Sequence, residues 1–103
     1  MTTKPVIVYV TYTGEASARF DRDYYLSKHL PLAQEVWGPT GLESATAFFP
    51  AGAPAGTIAI AELKFRDQAA VQASLASPGT PKVLADVKSY TDIVPVMLRG
   101  QPL

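Results

Sequence analysis

Arg19-Phe20-Asp21-Arg22-Asp23-Tyr24-Tyr25-Leu26-Ser27-Lys28-His29-Leu30-Pro31-Leu32 decides how this chain is read. The stretch holds the only histidine in 103 residues, with two of the five tyrosines four and five places before it. Asp21 is a good N-cap, because its carboxylate can accept from an orphan backbone N–H. Asp23 adds negative charge in the first turn, where the helix dipole favours it. A helix is therefore expected from Arg22 to Val36, stopped by Gly38-Pro39-Thr40-Gly41. At about 100° per residue, Tyr25, His29, Leu32 and Val36 share a stripe that Leu26, Leu30, Ala33 and Trp37 widen; Tyr24, Lys28 and Glu35 lie opposite. Pro31 has no N–H for the Ser27 carbonyl and its ring crowds that carbonyl, so a kink or break is expected near His29. Two readings of His29 stand at this point: a packed histidine in a capped helix, or a working group beside a kink.

Outward from the helix, the chain alternates strands and helices. Pro5–Tyr12 is rich in β-branched and aromatic residues and apolar on both faces. Leu42–Phe49 is a more polar strand, as an edge position requires, and Pro50–Gly56 is a hairpin loop. Thr57–Phe65 is again apolar on both faces. Asp67 is expected to cap a helix over Gln68–Leu75, and Thr80-Pro81 to open a short one through Val87. Ile93–Arg99 is the last strand, with Pro95 arguing for an edge. The order β-α-β-β-α-β predicts an α+β, ferredoxin-like fold in one domain: a four-stranded antiparallel sheet with the helices on one face. The first and third strands are then central, and their second faces need cover. A second copy of the sheet would supply it, so a homodimer built as a dimeric α+β barrel is expected.

The pattern Phe20-Asp21-x-x-Tyr24-Tyr25-x-x-x-His29-x-Pro31-Leu32 resembles the signature of the EthD family. Ser77-Pro78 through Asp86-Val87-x-x-Tyr90-Thr91-Asp92 resembles that family's C-terminal pattern. The resemblance implies the dimeric α+β barrel superfamily. Its neighbours there include lactone isomerases, polyketide cyclases, cofactor-free monooxygenases and haem-binding enzymes, so it implies the fold better than the reaction.

Composition narrows the field. At 48% hydrophobic and 17% charged, the chain is apolar for its size, which favours a subunit interface. Nine basic and nine acidic residues cancel, and no basic run points to nucleic acid. With no cysteine and one histidine, thiolate and multi-histidine metal sites are not expected. Met1-Thr2-Thr3-Lys4 leads straight into a strand rather than a signal peptide, and no apolar run is long enough to span a membrane, so a cytoplasmic protein is expected.

His29 and Tyr25 are the expected catalytic pair: an imidazole that moves a proton near neutral pH, and a phenol one turn away that orients it or polarises a carbonyl. Trp37, Tyr9 and Phe48, with Tyr12, Phe49 and Tyr24, are expected to line a flat apolar pocket for a hydrophobic or aromatic small molecule, although core packing explains them equally well. Glu62 faces either that pocket or the partner subunit. Asp86 and Asp92 read as turn caps, and Arg19 and Lys28 as surface cations able to meet an acidic substrate. The first functional expectation is a cofactor-independent dehydratase, isomerase or decarboxylase. The alternatives are a non-catalytic binding protein and an oxygen- or haem-using relative with His29 at the iron.

Overall fold

Strands β1 (Val6–Gly14), β2 (Leu42–Phe48), β3 (Gly56–Phe65) and β4 (Val96–Gly100) form one antiparallel sheet in the order β2-β3-β1-β4. The computed structural model describes residues 4–15, 17–50 and 56–100. Residues 51–55 of the hairpin loop expected at Pro50–Gly56 lie outside that set. The fold is α+β and ferredoxin-like, with β1 and β3 central and β2 and β4 at the edges, as the pattern predicts. β4 begins after Pro95 rather than at Ile93, because proline brings no N–H to a ladder. Among the described residues no helix is long and apolar enough to cross a membrane.

The helices cover one face only. Val6, Val8, Val10 and Tyr12 of β1, and Ala59, Ala61, Leu63 and Phe65 of β3, point towards them and are buried. The opposite face is open in the single chain, and Tyr9, Phe48, Val96 and Leu98 stand exposed on it. The central strands are thus buried on one side, not two, because one chain supplies one layer of helix.

The first helix runs through Pro31 without ending there. It opens as a single turn, α1 (Arg22–Tyr24), passes through a π-helical turn at Tyr25–His29, and continues as α2 (Leu30–Trp37) into a 3₁₀ turn at Gly38–Thr40. Asp21 caps it as expected, accepting from the Tyr24 N–H at 3.0 Å. The Leu30 N–H reaches back five residues to the Tyr25 carbonyl. One extra residue is accommodated in that turn, and the stripe after it moves by one place. Leu30, Ala33 and Trp37 are buried, whereas Leu32 and Val36 are only half-buried. The stripe read on an ideal helix therefore holds at Tyr25 and His29, fails at Leu26, which is 47% exposed, and is displaced beyond His29.

Asp67 caps α3 (Gln68–Leu75) through the Ala70 N–H at 2.8 Å. At α4 (Thr80–Asp86), however, Gly79 occupies the N-cap and Thr80 is already helical. The Thr80 hydroxyl accepts from the Trp37 indole N–H at 2.9 Å and donates to the Ser74 carbonyl, so it ties three elements together instead of capping one.

Candidate active site

Two distant segments are clasped at the start of the first helix. The Asp21 N–H donates to the Tyr90 carbonyl at 2.8 Å, and the Thr91 hydroxyl donates to the Arg19 carbonyl at 2.6 Å. This clasp sets the turn Val87–Ser89 and the last residue of α4 against the π turn. His29 and Asp86 meet there: imidazole Nδ1 lies 3.0 Å from carboxylate Oδ2. The Tyr24 hydroxyl donates to the other oxygen, Oδ1, at 2.7 Å. Asp86 therefore accepts from both sides, and a chain Tyr24–Asp86–His29 runs into the core.

Electrostatics fix the protonation states. Burial pulls the His29 imidazole below its ordinary value of 6.5, and the bond and charge of Asp86 pull the other way without cancelling it. For Asp86, burial raises the carboxyl, but bonds from His29, Tyr24 and Ser89 outweigh it and hold the group below the usual carboxylate value. Near pH 7 the pair is a neutral imidazole donating Nδ1–H to a carboxylate. That tautomer leaves Nε2 with its lone pair. Nε2 has no protein partner among the described residues, yet no buried side-chain nitrogen or oxygen there lacks one. Nε2 is thus accessible, and His29 is one of the residues that line the adjoining cavity.

That cavity is small, about 40 Å³, and apolar, lined by Val10, Ala61, Leu63, Trp37, Val87 and Met97 among others. The small side chain of Ala61 helps leave it room. An aromatic cluster closes the other side. The Tyr25 ring stacks on His29 with centroids 5.5 Å apart and planes at 17°, and Tyr90 lies 4.6 Å from the imidazole. The Tyr12 and Tyr90 hydroxyls share a 2.6 Å hydrogen bond. Burial drives the Tyr12, Tyr25 and Tyr90 phenols far above their ordinary range, so all three stay protonated.

Of the residues expected at the site, His29, Tyr25 and Trp37 come together at the cavity. Tyr24 joins through Asp86 and not through a ligand-facing wall. The π turn explains why it leaves the side on which an ideal helix places it. Tyr9 and Phe48 do not join. They lie on the opposite sheet face, where the Tyr9 hydroxyl donates to Glu62 Oε2 at 3.2 Å, and this also places Glu62 away from His29. Arg19 is held by Asp92 through Nη2–Oδ1 at 3.0 Å and by the Lys88 carbonyl at 2.7 Å, while Lys28 is exposed. Asp86, read as a turn cap, is the residue that sequence reasoning missed. One signal was available: a carboxylate on the last residue of a helix opposes the dipole, so its reason lies outside the helix.

The family profile described as EthD domain matches residues 14–93. Among solved structures, an EthD-like protein from Ralstonia eutropha is 25% identical, with a TM-score of 0.84 over 96% of this chain and 92% of that one. An ethyl tert-butyl ether d (EthD) family protein from Bacillus halodurans shares the fold at 15% identity and a TM-score of 0.74, over 96% and 99% of the two chains. So does SnoaB, a cofactor-independent oxygenase from Streptomyces nogalater, at 10% identity and a TM-score of 0.67, over 98% and 94%. No curated protein matches the sequence.

Proposed function

The chain belongs to the EthD domain family, and on that premise we propose that it is a cofactor-independent enzyme in which His29 moves a proton on an apolar or aromatic keto compound. The observation that carries this reading is the Nδ1–Asp86 bond at 3.0 Å, which leaves Nε2 free to act as a base beside an apolar cavity that His29 lines. Nε2 takes a proton from the carbon next to a carbonyl, giving an enolate and an imidazolium. Asp86, already ionised, stabilises that imidazolium through Nδ1–H, and Tyr24 holds the carboxylate in place. Tyr25 packs flat on the imidazole and fixes its plane. Returning the proton to another carbon is an isomerisation; delivering it to a departing hydroxyl, which leaves as water, is a dehydration. A positioned base of this kind contributes on the order of 10²–10⁴ to a rate.

Proton exchange tests this directly. In deuterated buffer, a panel of aryl ketones and 1,3-diketones is expected to take up deuterium at the acidic carbon faster with the protein than without it. His29→Gln should remove the enhancement. A panel that binds but exchanges at the buffer rate defeats the reading and leaves a binding protein. A second reading is reaction of the same enolate with oxygen; SnoaB, which shares the fold, is a cofactor-independent oxygenase. Oxygen uptake in the same assay separates it from simple proton return.

A further inference from the structure

A second chamber lies beside the first. It measures about 120 Å³ and sits between the sheet and α3, with Trp37, Leu63 and Met97 as walls common to both chambers. Its remaining walls are apolar except for Ser74 and Arg99. The Ser74 hydroxyl is taken by Thr40 at 2.6 Å. Arg99 makes no ion pair with any described residue. Side by side, the two chambers place His29 at one end, apolar walls between, and at the other a guanidinium with no acidic partner among the described residues.

We infer that these chambers together bind an elongated apolar carboxylate, its acid on Arg99 and its carbonyl end towards His29. Guanidinium presents paired N–H donors that match a carboxylate, whereas the walls between offer nothing to a second polar group. The register sets the length. Arg99 pairs with Val8, and the His29 chamber lies at Val10 and Tyr12 on the same strand. Two to four residues along a strand span roughly 7–14 Å, so carboxylate and carbonyl stand that far apart, and a 2-keto acid is too short. Met97 is the partition that yields. It is unbranched, flexible and 45% exposed, and turning it outward joins the chambers.

The preference for an acid does not depend on proton transfer; only the placing of the carbonyl rests on the proposed function. Trp37, the single tryptophan, stands in the common wall and reports occupancy by its fluorescence. The probes are 7-oxooctanoate, its methyl ester and pyruvate, titrated into wild type and Arg99→Gln. Arg99 is on the surface, so the substitution leaves the core intact. Wild type should bind the long acid more tightly than its ester, by about fivefold, the size expected of an ion pair open to water. Arg99→Gln should erase that preference while leaving the ester unchanged, and pyruvate should bind weakly to both. Equal affinity of acid and ester in wild type overturns the inference. So does a preference that survives Arg99→Gln, or the absence of any Trp37 response to the long acid. Acid binding without deuterium exchange would leave this inference standing and defeat the proposed function; exchange on neutral ketones without acid preference would do the reverse.

Discussion

His29 is the one side chain here whose ordinary titration falls between pH 5 and 7. Its folded-state value is lowered by burial, against the opposing pull of Asp86. The unfolded chain therefore binds more protons than the folded one between that lowered value and 6.5. Stability should be complete above about pH 6.5 and decline as pH falls through the folded value. Asp86, also lowered, acts with the same sign in a separate, more acid window, below its ordinary 3.8. Urea midpoints measured from pH 5 to 7 should rise with pH in wild type and stay level in His29→Gln. A slope that persists without His29 would show that burial of this imidazole is not its source. Asp86→Asn removes the charge that pulls His29 upward and leaves a single amide oxygen where Tyr24 and His29 each had one, so the imidazole signal in NMR should move to still lower pH.

At the scale of elements, the turn into β2 rests on one backbone conformation. Gly41 has φ +117°, and a Cβ there would lie 2.4 Å from the Ala70 Cβ of α3. A left-handed non-glycine residue costs about 1–2 kcal/mol, and the contact with α3 forces a further shift. Gly41→Ala should lower unfolding free energy by about 2–3 kcal/mol, read from chemical denaturation. A loss under 0.5 kcal/mol would mean that α3 is free to retreat. The elements themselves were legible in the sequence because strand and helix periods differ and each cap carries its own chemistry: Asp21 and Asp67 both cap where expected. The π turn was not legible. An extra residue inside a helix changes no composition, and only the later burial of Leu30, Ala33 and Trp37 in place of Leu32 and Val36 reveals it. The partner of His29 was hidden for a different reason: 57 residues separate it from Asp86, and no local pattern encodes a contact of that range. The aromatic set failed at Tyr9 and Phe48 because ring chemistry does not say which sheet face a strand position takes.

At the scale of the whole molecule, the uncovered sheet face is the feature that the single chain leaves unexplained. Tyr9 is 42% exposed, Val96 53%, Leu98 57% and Phe48 63%, all on the side away from the helices. β1 and β4 pair so that Leu98 is opposite Tyr9 and Val96 opposite Thr11, which gathers these side chains into one patch. A patch of this kind on a monomer exposes apolar area to water at about 25 cal/mol per Å². A second copy, packing its own sheet about 10 Å away, is the simplest cover we propose, and it would close the sheets into the dimeric barrel expected from the sequence. Glu62 sets a condition on that arrangement. It stands on the same face, bonded to the Tyr9 hydroxyl at 3.2 Å, and a buried carboxylate needs such a partner to be tolerated. Light scattering should give a particle of twice the 11.0 kDa chain mass. Leu98→Glu places a second carboxylate across from Tyr9 and should produce a folded monomer, with the His29–Asp86 pair intact on the other side of the sheet. A wild-type protein that stays at 11.0 kDa at high micromolar concentration would refute the homodimer. A Leu98→Glu dimer as tight as wild type would move the interface off this face.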